Sequence, residues 1–212
     1  MTHRILVFTK APQPGRVKTR LQPEIRPADS VRLHKLMLQG TLQSCAAISA
    51  ETSLWVSPDS HSRYLRRLAQ RYGFGIRRQQ GNDLGQRMRQ AINVSRPDTG
   101  GFTLLIGSDC PSITPTYLAS ALDALRHAPV VIGPATDGGY VLIGARRSLP
   151  RQCFDNIEWG SNKVLEQTLQ RMQQSGMSYN LLPVQQDIDR PEDLACVDND
   201  ELHRMRWLFG IE

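Results

Sequence analysis

Residues 101–111 read GFTLLIGSDCP. Leu104, Leu105 and Ile106 form an unbroken apolar run without polar alternation, the pattern of a strand buried on both faces. The run stops at Gly107 and delivers a carboxylate, Asp109, into the next loop. Open α/β sheets bind ligands at the carboxyl ends of their strands, so Asp109 is expected at a ligand site. The ordinary duty of such an aspartate is to cap the following helix. Thr114 followed by Pro115 is a better cap and first-turn pair, which leaves Asp109 free. A metal ion carrying a phosphorylated substrate is the leading expectation for it.

Outward from this strand, strand and helix signals alternate. Residues 4–8 read as a first strand. A long helix opens at Pro27, with Leu38, Leu42, Cys45 and Ile48 recurring on one stripe. Then follow a strand at 53–56, a helix at 60–72 ended by Gly73, a short strand at 75–78, and a helix marked by Leu84, Met88, Ala91 and Ile92. Beyond Asp109 come a helix with Leu118, Ala121, Leu122 and Leu125, strands at 130–132 and 140–143, and a helix at 162–174. A short extended piece at 180–183 precedes two tail helices, at 191–197 and 199–209. This alternation implies an α/β fold with a mostly parallel sheet covered by helices on both faces. The two strands that lack an intervening helix make the sheet mixed. No repeat or low-complexity linker interrupts the chain, so a single domain over residues 1–212 is expected.

Composition narrows the function. With 40% hydrophobic and 22% charged residues the chain is an ordinary globule. No apolar run approaches the ~18 residues that span a bilayer, and the run at 5–8 is too short for a signal-peptide core. No membrane partner and a cytoplasmic location are therefore expected. Cys45, Cys110, Cys153 and Cys196 lie far apart without a CxxC pair, against a disulfide framework or a cysteine zinc site. A net charge of +6 favours anionic partners. Aromatics are only 6% and no basic tail is present, which disfavours nucleic acid and leaves a nucleotide. His3, His34, His61, His127 and His203 read mostly as helix-surface residues without a catalytic role. A monomer or a homodimer is compatible with the sequence; Trp207, Leu208 and Phe209 offer a dimer contact, with packing back on the domain the plainer reading.

Five loops carry candidate chemistry. KAPQPGRVKTRL, residues 10–21, only superficially resembles a P-loop: Arg16 and Val17 separate Gly15 from Lys18, and Pro12 and Pro14 have no N–H to donate. Such a loop would hold phosphates with the side chains of Lys10, Arg16, Lys18 and Arg20; a solvated basic loop is the plain alternative. In GNDLGQRM, residues 81–88, Asp83 can cap a helix, Gly85 can let a ligand approach the backbone, and Arg87 can touch a phosphate. GSDCP supplies Asp109, which needs a second carboxylate to hold Mg²⁺ or Mn²⁺. ATDGGYVLIG, residues 135–144, is a hairpin turn by its glycines. It also sets Asp137, Gly138, Gly139 and Tyr140 at a strand mouth, where Asp137 suits sugar hydroxyls or general-base work. In DIDRPEDL, residues 187–194, a capping box accounts for Asp189 and Glu192 but not Asp187; a capping aspartate keeps a second oxygen for a metal.

Taken together, FTKAPQPGRVKTRL, GNDLGQRM, GSDCP, GPATDGGYVLIG, IEWGSNKVLEQTL and DIDRPEDL resemble the nucleotide-diphospho-sugar transferase superfamily, the GT-A fold. More closely the chain resembles the bacterial group called radical-SAM/selenodomain-associated transferase 1. The resemblance runs from Phe8 to Leu194. It implies a Rossmann-like three-layer sandwich and a metal-dependent transferase working on a nucleotide-activated donor and a small-molecule acceptor. By analogy Asp109 and Asp189 would bind Mg²⁺ or Mn²⁺, and Lys10, Lys18 and Arg20 would contact phosphates. The segment from Trp159 to Ser161 would line the acceptor side. Glycosyl transfer from a nucleotide sugar is the first expectation, with Asp137 and Lys18 as catalytic groups. The alternative is a nucleotidyltransferase similar to the 2-phospholactate or molybdenum-cofactor guanylyltransferases, moving NMP from an NTP to a phosphorylated acceptor.

Overall fold

A computed structural model of the chain describes residues 2–22, 24–58, 61–97, 100–191 and 193. Seven strands form one sheet: β1 (His3–Lys10), β2 (Ala50–Ser57), β3 (Gly75–Arg78), β4 (Thr103–Gly107), β5 (Val130–Pro134), β6 (Tyr140–Ala145) and β7 (Tyr179–Leu181). Their order is β3-β2-β1-β4-β6-β5-β7. Only β6 runs antiparallel to its neighbours, β4 and β5. The other pairs are parallel. The fold is therefore a single-sheet α/β fold, mixed but mostly parallel, as the two strands without a helix between them foretold.

Helices α1 (Pro27–Ala46), α2 (Arg63–Tyr72), α3 (Leu84–Val94), α4 (Pro115–His127) and α5 (Val164–Gln174) cover the sheet. Two apolar clusters show the layering. Ile5, Val7, Leu104 and Ile106 pack against Leu38, Leu42, Leu65 and Leu118 on one face. Leu6, Phe8 and Leu105 pack with Met88, Ile92 and Met172 on the other. Alternate residues of β1 and β4 thus enter different layers, which is why neither strand shows polar alternation. Each fully buried Ile or Leu contributes roughly 1.5–3 kcal/mol.

Local signals set the helix starts. Thr114 Oγ1 accepts the Tyr117 N–H with Pro115 in the first turn. Asp83 caps α3 through the Gln86 N–H at 2.8 Å. The helix expected from residue 60 begins at Arg63, because the Ser62 hydroxyl accepts the Leu65 N–H and fixes the first turn there. The strand expected at 53–56 extends to Ala50–Ser57, since full-length pairing with β1 outweighs the polar residues at its ends. The tail helices expected at 191–197 and 199–209, with Trp207, Leu208 and Phe209, lie outside the described residues save 191 and 193. Among the described residues no helix is long and apolar enough to cross a membrane.

Candidate active site

The parallel strands β1, β4 and β5 end on the same edge of the sheet, and five segments gather there. The first loop is anchored from below. Leu21 and Ile25 pack with Leu33 and Met37 of α1 and with Ile188, all 5% exposed or less. Ile188 in turn donates its N–H to the Asp109 carbonyl at 3.0 Å. One apolar cluster therefore ties residues 18–21, 109 and 187–189 into a fixed relation.

Lys18 sits at the centre of it. Its backbone is left-handed, φ 49° and ψ 42°, immediately before a 3-10 turn at Thr19–Leu21. Its side chain is only 2% exposed. Left-handed backbone and burial both cost free energy for a lysine, and they persist only where other contacts outweigh them. The ammonium donates to the Ile188 carbonyl and lies 3.4 Å from Asp109 Oδ2 and 3.8 Å from Asp189 Oδ1. Arg20 closes a 2.6 Å charge-assisted bond on Asp189 Oδ2. The two carboxylates expected to share a metal are therefore neighbours, and a buried cation lies between them.

His34 is the residue at this site that the sequence reading missed. It is 2% exposed rather than on the surface of α1. One ring nitrogen, Nε2, lies 3.0 Å from the Lys10 carbonyl. A carbonyl only accepts, so Nε2 carries a proton. Nδ1 faces Asp109 Oδ1 at 3.5 Å. Ser108 Oγ, also near Asp109 Oδ1, donates to Thr9 Oγ1 at 3.1 Å. The Asp109 side chain is 46% exposed, yet the groups packed around it desolvate the carboxyl, and that desolvation by itself would raise its pKa. The Lys18 ammonium, and then His34, outweigh it and hold the carboxyl well below its usual range. A signal for His34 was present: it stands four residues before Leu38 on the Leu38, Leu42, Cys45 stripe, and so on the buried face.

A cavity of about 260 Å³ opens beside this knot, lined by Arg20, Asp137, Ser161, Asp187, Asp189 and Asp193 among others. Burial, then the Asp137 carboxylate, push the Asp187 pKa up to about 6, with Asp189 adding to the rise and Lys18 opposing it. Asp137 Oδ1 accepts the Gly139 N–H at 2.8 Å, which leaves the other oxygen for a ligand. Gly138 has φ +87°, and a Cβ there would run into the Asn162 carbonyl. The Gly138 carbonyl also accepts the Leu165 N–H at 2.8 Å. The double glycine thus lets the turn after β5 lie directly on the segment that carries Ser161. Glu192, half of the expected capping box with Asp189, lies outside the described residues. Asp193 Oδ2 accepts the N–H groups of Asp189 and Arg190, at 2.9 and 2.7 Å, while the Asp189 carboxylate faces Lys18 and Arg20.

The remaining expected residues are placed elsewhere. Asp83 serves as a helix cap. Arg87 ties the start of α3 to the end of β2, donating to the Gly81 carbonyl at 3.0 Å and to Ser57 Oγ at 3.3 Å. The close approach that Gly85 permits is made by the Trp159 indole, which lies where a Cβ would stand. The Tyr140 hydroxyl is buried behind the turn without a hydrogen-bond partner among the described residues. Lys10, Gly15 and Arg16 are exposed, Gly15 at the φ +73° turn of the loop.

A family profile matches residues 41–161, that of the uncharacterized proteins conserved in bacteria named DUF2064. The chain belongs to this family. A protein of Desulfovibrio desulfuricans G20 described as a nucleotide-diphospho-sugar transferase is 30% identical to this DUF2064 member. It superimposes with a TM-score of 0.87 over 99% of this chain and 97% of its own. More distant structures share the fold. A cytidylyltransferase from Leptospira borgpetersenii matches at 14% identity and TM-score 0.60, covering 99% of this chain and 94% of its own. The glucosyl-3-phosphoglycerate synthase of Mycobacterium tuberculosis, solved with Mn²⁺, UDP and glucosyl-3-phosphoglycerate, matches at 11% identity and TM-score 0.52 over 100% and 81%. No curated protein matches the sequence. The fold is thus one used by nucleotidyl- and glycosyltransferases.

Proposed function

We propose that this DUF2064 protein is a metal-dependent glycosyltransferase that moves a sugar from a nucleotide-activated donor to a small hydroxyl-bearing acceptor. The convergence of Lys18, Asp109 and Asp189 within 4 Å, beside a carboxylate-lined cavity, carries this reading. The donor diphosphate would lie against Lys18 and Arg20, with Lys10 and Arg16 at the rim. Fixed cations near a departing diphosphate stabilise the charge that develops on it. The 30%-identical relative and the resemblance to the radical-SAM/selenodomain-associated group point the same way.

A hard divalent ion fits the chemistry of the donor set. Asp109 and Asp189 offer only carboxylate oxygens, and Asp137 and Asp187 add further carboxylates on the cavity beside Asp189. Mg²⁺ and Mn²⁺ are commonly held by one or two such carboxylates together with substrate phosphate. Asp109 and Asp189 would hold the ion, which when bound supplies further charge stabilisation to the diphosphate. The Asp137 oxygen not bonded to Gly139 would take the acceptor proton as the acceptor oxygen bonds to the anomeric carbon and the diphosphate departs. Ser161, across the cavity, would orient the acceptor.

The alternative moves NMP from an NTP to a phosphorylated acceptor; besides Arg20 and Arg190 the cavity is bordered by Asp137, Asp187, Asp189 and Asp193, and that excess of carboxylates disfavours an acceptor phosphate there. That charge favours the glycosyl reading. The test is a thermal-shift panel of NTPs and nucleotide sugars with Mg²⁺ or Mn²⁺, followed by product detection. Release of a nucleoside diphosphate from a nucleotide sugar supports glycosyl transfer; pyrophosphate release from an NTP replaces it with nucleotidyl transfer. Tight, salt-sensitive binding to nucleic acid with no nucleotide response overturns both.

A further inference from the structure

Lys18 has a property that phosphate binding alone does not require. A lysine awaiting a phosphate can wave in solvent, whereas this one is 2% exposed and folded inward on a left-handed backbone. Its ammonium already has three oxygen partners: the Ile188 carbonyl, Asp109 Oδ2 and Asp189 Oδ1. Those two carboxylates are the ones that would ligate a divalent ion. Among the described residues no three acidic, histidine or cysteine side chains stand in an arrangement that could hold a metal. The carboxylates converge on the ammonium instead of on an open space.

We propose that Lys18 is an internal counter-ion that closes the Asp109–Asp189 pair to a divalent cation until the donor's phosphates draw the ammonium away. The inference rests on the metal-dependent reading above. Its physics is charge exclusion. A divalent ion beside both carboxylates would stand a few ångströms from a buried monovalent one, and at that range and polarity the repulsion is strong. A diphosphate would remove the conflict by giving the ammonium new oxygen partners and offering its own oxygens to the metal. Metal and donor would therefore bind as one unit, and the metal alone would bind poorly. Arg20 cannot take over the closing role: its side chain is 54% exposed and, among the described residues, pairs with Asp189 alone, on the oxygen away from Lys18.

The test uses Mn²⁺ alone, followed by electron paramagnetic resonance on the nucleotide-free full-length protein. Lys18→Gln keeps an amide that can donate to the Ile188 carbonyl and removes the charge. The expected result is Mn²⁺ affinity at least about tenfold tighter than wild type; affinity equal to or weaker than wild type overturns the proposal. Should the variant fail to fold, the wild type decides. Acetylation of Lys18, read by peptide mass mapping, is expected to stay unchanged in Mn²⁺ alone and to change several-fold only when UDP accompanies Mn²⁺; a change with Mn²⁺ alone, or none with both, overturns the proposal. If wild type and Lys18→Gln bind Mn²⁺ equally well, only the role of Lys18 falls. If neither responds to Mn²⁺ even with UDP or CTP present, the metal-dependent reading falls too.

Discussion

The first loop and the turn between β5 and β6 border the same mouth in opposite electrostatic states. On the loop side each carboxylate has a cation: Asp109 has Lys18, with the His34 ring beside it, and Asp189 has Lys18 and Arg20. On the turn side burial, and then the Asp137 carboxylate, push the Asp187 pKa up to about 6. The paired side is anchored by an apolar cluster, whereas the turn side is shaped by backbone contacts at Gly138. A balanced wall holds its geometry without a ligand. An unbalanced wall gains from a ligand that brings positive charge or gives up a proton, which is what a metal or an acceptor hydroxyl offers.

Removing the shared cation strikes the paired side hardest. Lys18→Ala is expected to lower transferase turnover by about 10³-fold. It should also cost about 2 kcal/mol in denaturant unfolding, less than a fully buried pair would because Asp109 is half exposed. Unchanged turnover would break the comparison. Asp137→Asn keeps an oxygen for the Gly139 N–H, so the midpoint of thermal unfolding should hold while turnover falls about 10²-fold. A matching loss of stability would recast Asp137 as a turn residue only.

Backbone shape on the turn side is tested by two glycines with similar angles. Gly138→Ala should destabilise by about 2 kcal/mol, since φ +87° and collision with Asn162 add together. Gly160→Ala, at φ +91° in open space, should cost only about 1 kcal/mol in the same unfolding assay.

Asp187 gives a pH signature. Its carboxyl titrates near 6 in the folded chain and near ~4 unfolded, so the folded state binds the extra proton between those values. Stability from this group is fully present below about pH 4 and is lost as pH rises through about 6. Asp187→Asn removes that loss. In metal-free buffer it should be more stable than wild type by on the order of 1 kcal/mol at about pH 7.5, after screening, and indistinguishable at about pH 4. Smallest of all, Arg16→Ala should change stability by less than about 0.5 kcal/mol. It should raise the donor KM a few-fold, an effect that fades with added salt.

Some of this was legible in the sequence and some was not, for reasons visible in single residues. The run before Asp109 announced a doubly buried strand because helices on both faces leave no side for polar residues. Asp109 and Asp189 were recognisable as partners only through the order of several weak motifs; the chemistry of either one alone fits a helix cap. His34 was misread because a histidine in an otherwise polar stretch looks like a surface residue unless its register with Leu38 and Leu42 is counted. Gly85 looked like a ligand approach because sequence cannot say what comes close, and a tryptophan 74 residues further on, Trp159, does.

What the sequence by itself determined is local: apolar periodicity set the strands and helices, and cap and turn residues set most of their ends, because each depends on neighbours a few positions away. Only the tertiary structure decided which charges meet. Lys18, Asp109 and Asp189 are separated by long stretches of chain, and their distances follow from sheet order and from the packing of Ile188 under the first loop. Charge interactions depend steeply on ångström separations and on burial, and neither quantity is carried by any one segment.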